Sequence, residues 1–381
     1  MKNLIFLLFF LFFVSNRNSS QTIKEFKFEI DGTINADTGK IYLCFYDEYN
    51  SYKLPKLETP VNNNKFSFSG FITEPQGVYI LFGNHYMSSD FIIDKEFQTI
   101  SINIDSTKNV PIVSNNPMQN EYPLFSDFFK QHNIKRNICD QKYDSIYRLN
   151  NYQLPEEVNY SKSKELDKLY KEHDKLLLNY TEKNPNSKIA FWKLVHLMDW
   201  GYEPIFDSIY NSFSDSLKNG YAGKILKTKI LEGKQLSAGI YFPLIPCIDI
   251  DNKPFVLDIF KENRYTLVDF WYSRCGPCRA QFNKLKDLYN QFTTNGFEIV
   301  AISSDGKSSK ANWENVIITK KLIWKQYWDM NGIETKKLGI NAFPTNYLID
   351  NSGKIITKNI SLEELTQLLN KNLGSFKAIE P

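Results

Sequence analysis

Residues 266–278 read Thr266-Leu267-Val268-Asp269-Phe270-Trp271-Tyr272-Ser273-Arg274-Cys275-Gly276-Pro277-Cys278. An apolar run leads into two cysteines spaced two residues apart. Phe282, Leu285 and Leu288 follow at helical spacing. The pair therefore sits where a strand ends and a helix begins. Two cysteines in that setting read as a dithiol for redox exchange. The alternatives are a static disulfide or half of a metal site, and no second Cys/His pair stands nearby in the sequence.

Working outward, residues 236–376 switch between strands and helices. A short strand is expected over Phe255 to Ile259, an apolar strand over Thr266 to Trp271 and a helix over 277–292. A strand over Phe297 to Ile302 and a helix over Lys310 to Thr319 follow. Asn346 to Asp350, Asn351-Ser352-Gly353 and Lys354 to Ile356 read as a hairpin. Ser361 and Glu364 form a capping box for a last helix. Alternation of this kind indicates an α/β domain.

Residues 24–108 carry a different period. Phe26, Phe28 and Ile30 alternate, as do Ile41, Leu43 and Phe45, then Phe66 and Phe68. Val78 to Phe82, Phe91 to Ile93, and Ile100, Ile102 and Ile104 complete the set. Period two between frequent turns argues for an antiparallel β-rich domain. Residues 118–235 read as a helical connecting region. Leu166, Leu169, Tyr170, His173, Leu177 and Tyr180 mark one helix face. Ser187 is expected to cap a second helix over Ile189 to Met198, and Phe206, Ile209, Phe213 and Leu217 mark a third. His85 and His132 read as isolated, and His173 and His196 as core or boundary residues.

At 381 residues the chain is long enough for two or three domains. A net charge of +3 with no long basic block gives no support to nucleic-acid binding. Five cysteines are too few for a disulfide-stapled scaffold, and Cys44, Cys139 and Cys247 read as small buried apolar groups. Lys2, the eleven apolar residues Leu4 to Val14 and the polar stretch after them read as a secretory signal over residues 1–20. An uncleaved anchor is the alternative. The expected location is outside the cytoplasm.

Val268-Asp269-Phe270-Trp271, Cys275-Gly276-Pro277-Cys278-Arg279, Val300-Ala301-Ile302-Ser303 and Phe343-Pro344-Thr345 occur in an order and spacing that carry a resemblance. Residues 236–376 resemble a thioredoxin fold of the bacterial-envelope type, similar to the TlpA and ResA thiol-disulfide oxidoreductases. The preceding β-rich and helical regions resemble those attached to many such proteins in Bacteroidetes. The resemblance implies an enzyme acting on protein disulfides as a reductant, with Cys275 attacking and Cys278 resolving. Helix-terminal placement favours the Cys275 thiolate on physical grounds as well. Asp269 would assist proton transfer from Cys278, and Trp271 would pack under the active-site loop. Gly276 permits a tight turn and Pro277 suits a first helical turn. Phe343-Pro344-Thr345 would be the cis-proline loop beside which an extended substrate chain pairs.

Two positions depart from the pattern. Arg274 replaces a tryptophan of thioredoxin, and a cation there favours the Cys275 thiolate. Gln281 replaces a glutamate common in the TlpA/ResA type, which weakens any link to cytochrome c maturation. No cofactor beyond the Cys275–Cys278 disulfide is implied, and no dinucleotide-binding glycine signature indicates direct use of nicotinamide or flavin. The expected partners are protein thiols or disulfides and a membrane-linked electron donor. Trp324 and Trp328 line either a partner surface or the core. The rival reading is an envelope binding or scaffold protein whose thioredoxin-like domain is accessory or gated. A dithiol plugged by residues 120–235 would favour it.

Overall fold

The computed structural model describes residues 25–45, 56–83, 86–88, 91–93, 97–103, 112–114 and 121–374. The expected secretory signal, His85 and Ile104 lie outside the described residues.

The N-terminal unit is one sheet. Its strands are β1 (Phe26–Ile34), β2 (Thr38–Phe45), β3 (Lys56–Asn62), β4 (Lys65–Ile72), β5 (Gln76–Phe82), β6 (Tyr86–Met87), β7 (Phe91–Ile93), β8 (Phe97–Ile102) and β9 (Ile112–Ser114). The order is β6-β5-β2-β3-β4-β1-β8-β9, with β7 also on β5. Alternate residues of β1, β2 and β4 (Phe28, Ile30, Ile41, Leu43, Phe66 and Phe68) bury one face, as period two dictates. One pairing departs from the antiparallel expectation: β1 runs parallel to β8, with Ile30 opposite Gln98 and Gly32 opposite Ile100. A parallel pair needs a long crossover, and the intervening strands supply it.

Two long helices follow, α1 (Glu121–Leu149) and α2 (Glu156–Lys183). They form an antiparallel hairpin. Lys135 pairs with Glu172 at 2.5 Å and Lys142 with Glu165 at 2.7 Å. His132 and His173 face each other across it with ring centroids 5.5 Å apart, so His132 is not isolated. Leu169, Leu177 and Tyr180 are buried as the helical face requires, whereas Tyr170 is exposed and lies under the Arg136 guanidinium. Ser187 caps α3 (Lys188–Met198) by accepting from the Ala190 N–H at 3.0 Å. The expected third helix stops early: α4 (Ile205–Ser212) ends before Phe213, which turns extended and buries against Phe191. Leu217 lies in a separate turn, α5 (Asp215–Asn219), ahead of α6 (Tyr221–Gly233). The Trp192 indole donates to the Pro75 carbonyl at 2.9 Å, joining these helices to the N-terminal sheet.

The C-terminal unit is a six-stranded mixed sheet of order β10-β13-β12-β11-β14-β15. In chain order its elements are β10 (Ile248–Asp249), α7 (Asp258–Lys261), β11 (Tyr265–Trp271), α8 (Gly276–Phe292), β12 (Phe297–Ser303) and α9 (Lys310–Thr319). Next come β13 (Lys325–Trp328), α10 (Ile333–Lys337), β14 (Thr345–Asp350), β15 (Ile355–Lys358) and α11 (Leu362–Leu373). Phe255–Ile259 is not a strand. Asp249 accepts from the Asp251 and Lys253 N–H groups to make a turn, and Ile259 and Phe260 are buried from α7. A short apolar run fits either structure, and the turn decides. β11 is central, parallel to β12 and antiparallel to β14. Its residues are buried on both faces, which explains the continuous apolar run. Trp324 and Trp328 are both core residues, Trp328 stacking on Trp313.

Candidate active site

The site grows from the carboxyl end of β11. Cys275 is the N-cap of α8, and Pro277 lies in the first turn, where its missing N–H costs nothing. Cys275 is disulfide-bonded to Cys278, with Cα atoms 5.3 Å apart. Cys275 Sγ accepts the Cys278 N–H at 3.1 Å. Cys275 Sγ thus sits at the N-terminus and the positive end of a seventeen-residue helix. Both features favour a thiolate there once the bond is reduced.

Asp269 lies under this turn. Along β11, Leu267 and Trp271 belong to the same buried cluster as Cys275, Cys278 and Phe282, whereas Val268 and Phe270 belong to the cluster on the other face. Alternation places Asp269 with Leu267 and Trp271, on the face of the dithiol helix. It is buried, and burial pushes its carboxyl up to about 7. Trp271 is wholly buried and meets Phe282 edge-on at 5.2 Å.

The second loop arrives from β14. Phe270 pairs with Thr345, so the residues before Thr345 come alongside the dithiol loop. The Phe343–Pro344 peptide bond is cis. Tyr272 and Phe343 meet edge-on at 5.4 Å, closing one loop on the other. The Thr345 hydroxyl donates to the Ala342 carbonyl at 2.8 Å and ties the base of this loop. Arg274 is exposed on the rim, and Gly276 and Pro277 are half-buried.

A family model described as thioredoxin-like matches residues 263–355, and one described as a domain of unknown function matches residues 28–122. The thiol-disulfide oxidoreductase ResA of Bacillus cereus is 30% identical over 148 residues, covering 37% of this chain and 75% of the relative. The chain belongs to the thioredoxin-like thiol-disulfide oxidoreductase family that includes ResA. The ResA of Bacillus thuringiensis matches with the same identity and coverage. The solved thioredoxin domain of a Bacteroides vulgatus thiol-disulfide oxidoreductase is 30% identical, covers 36% of this chain and 99% of its own, and has a TM-score of 0.33.

The oxidoreductase therefore carries its redox-active disulfide in the C-terminal unit. Among the described residues, no group of three or more His, Cys, Asp or Glu could hold a metal ion. Cys44, Cys139 and Cys247 are buried and not disulfide-bonded, and burial raises the Cys247 thiol to about 12.

Two groups around the disulfide escaped the sequence reading. The first is Asp305, buried at the end of β12. It accepts from the Ser273 N–H and the Ser273 and Ser303 hydroxyls, each at 2.7 Å. These bonds hold the loop two residues before Cys275. A serine pair ahead of an acid, Ser303-Ser304-Asp305, was the available signal. The second is the start of α2. Asn159 lies against Gly276, and Tyr160 packs on the cluster that contains both cysteines. Nothing local in residues 156–164 announces this contact, because its partners lie more than a hundred residues away.

Proposed function

We propose that this protein is an envelope thiol-disulfide oxidoreductase that reduces disulfides of protein substrates. The carrying observation is the Cys275–Cys278 disulfide at a helix N-terminus, with Cys275 Sγ accepting the Cys278 N–H. In the reduced enzyme the Cys275 thiolate attacks one sulfur of a substrate disulfide. A mixed disulfide forms and the first substrate thiolate leaves. Asp269 takes the proton of the Cys278 thiol, and the resulting thiolate attacks Cys275 Sγ. The Cys275–Cys278 bond closes, the second substrate thiolate leaves, and two electrons have passed to the substrate. A membrane-linked dithiol donor then re-reduces the pair.

The burial of Asp269 supports its role, since a carboxyl held near neutral pH matches a proton acceptor. Trp271 would support the loop from beneath. Arg274, Gly276 and Pro277 would shape the surface that meets the substrate. Phe343, Pro344 and Thr345 would present backbone to an extended substrate segment. Residues 1–20 support export, and the Gly276-Pro277 dipeptide supports the reducing direction. The β-rich N-terminal domain is of the kind that Bacteroidetes proteins append to this enzyme, and here it would serve as an envelope module.

The test is reduction of insulin disulfides by the full chain with a dithiol as electron source. Turnover that disappears in Cys275→Ser, and mixed disulfides that accumulate in Cys278→Ser, are expected. Absence of turnover with both thiols demonstrably reduced refutes the reading. The gated alternative gains from one observation, the contact of α2 on the dithiol turn.

A further inference from the structure

Cys275 and Cys278 are each only 2% exposed, although Tyr272 and Arg274 beside them are exposed. A sulfur that must reach a disulfide of another protein is here buried. The first two turns of α2 lie against the dithiol turn, with Asn159 on Gly276 and Tyr160 on the cluster that contains both cysteines. Glu156, Asn159, Tyr160 and Lys164 recur at helical spacing and so share one face of the helix. That face meets the thioredoxin-like unit at three points. Glu156 pairs with Lys320 and lies 3.9 Å from the Arg279 guanidinium. A Cβ on Gly276 would fall 2.6 Å from Asn159 Nδ2, so no side chain larger than hydrogen fits beneath Asn159 as placed. The Tyr160 hydroxyl and Lys164 both donate to Glu363, at 3.2 and 2.7 Å, and Lys284 lies 3.8 Å above the Tyr160 ring.

The same segment is built to leave. Pro155 occupies the N-cap and supplies no side-chain bond, so the first N–H groups of α2 lack a cap. Asn151 and Tyr152 just before it hold left-handed backbone, at φ 52° and 59°. Apart from the Tyr160 hydroxyl on Glu363, the contacts on Glu156 and Glu363 are ion pairs between partly exposed groups, each individually weak and screened by salt.

We propose that residues 156–164 form a lid over the dithiol, latched by Glu156 and Glu363, which a protein substrate must displace before it reaches Cys275. The inference rests on the exchange function proposed above and makes that function conditional on lid opening. It also sets specificity: a small thiol reagent needs only a side-chain fluctuation, whereas a polypeptide pairing beside Pro344 needs the helix start to move away.

The experiment uses the full chain, reduced, and follows alkylation of Cys275 by iodoacetamide and by a polyethylene-glycol maleimide. Replacing the latch in Glu156→Gln/Glu363→Gln is expected to raise the rate with the bulky reagent about three- to tenfold, since several weak ion pairs are lost together. The rate with iodoacetamide is expected to change by less than about twofold, within the reach of surface-charge effects. High salt on the wild-type chain is expected to reproduce the effect without any substitution. Bulky-reagent rates that ignore both the substitutions and the salt overturn the lid. If the alkylation rates respond as expected but neither chain reduces insulin disulfides, the lid stands and the exchange function falls. If the bulky-reagent rates stay unchanged while both chains reduce insulin, exchange stands and the lid falls.

Discussion

At the scale of single residues, the cysteine pair and a lone acid in the strand before it were legible from types and spacing, and the role proposed for that acid came from the resemblance. Cys275 and Cys278 stood at the junction of an apolar strand and a helix face, and Asp269 was the one charge in that strand. What spacing does not carry is the extent of desolvation, which requires the opposite face of the helix and sheet. Burial raises Asp269 from an ordinary 3.8 to about 7. A raised folded-state value means that stability is fully present below pH 3.8 and falls as pH rises toward 7, because the unfolded chain releases the proton first. Raising the carboxyl to about 7 corresponds to at most about 4 kcal/mol. Asp269→Asn is therefore expected to be more stable than the wild type above pH 7, with the difference vanishing in acid. Urea denaturation across this range checks it, and parallel pH profiles for the two chains would contradict it. The same substitution should slow resolution of the mixed disulfide by about a hundredfold, the usual scale of a lost general base. Asp305 was missed for the converse reason, since its function lies wholly in which loop it reaches.

At the scale of elements, the signals that read correctly are those whose physics is local. The Asn351-Ser352-Gly353 turn joins β14 to β15, and Asp350 accepts from the Ser352 and Lys354 N–H groups to shape it. The capping box is formed: Ser361 Oγ accepts the Glu364 N–H at 3.2 Å and Glu364 accepts the Ser361 N–H at 3.0 Å. Ser361→Ala is expected to cost about 1 kcal/mol, the usual worth of a lost N-cap. A lower denaturation midpoint of the C-terminal unit at unchanged slope checks this. Elements with weak local signals were not seen. β3 holds Pro60 and few apolar residues, and it is a strand because β2 pairs with it along its length. Pro60 is tolerated there because β4 pairs with β3 only at Asn62. α1 is mostly polar, and it is held by the apolar seam it makes with α2, where Cys139 and Tyr143 cluster with Leu169 and Phe129 packs on Tyr180.

At the scale of the whole molecule, the described residues bury separate cores: one in the N-terminal sheet, a large and a small one in the helices, and one on each face of the C-terminal sheet. The two cores of the C-terminal sheet share its strands and unfold together, whereas cores in different units unfold separately unless the interfaces between them are large. Calorimetry is expected to resolve more than one transition, with reduction of Cys275–Cys278 moving only that of the C-terminal unit. A single transition whose calorimetric and van't Hoff enthalpies agree would show the units to be one. The polar contacts between the units, such as Lys358 with Glu203 at 2.9 Å, fit partial independence. Sequence by itself determined the chemistry of the dithiol, the class of the domain that bears it and the turns and caps that bound its elements. Those depend on residue type and on neighbours within a few positions. Tertiary structure alone decided how deeply Asp269 is desolvated, that Asp305 holds the Ser273 loop, and that Asn159 covers Gly276. Burial and ion pairing are properties of groups brought together by the fold, and their partners lie too far along the chain for any local pattern to name.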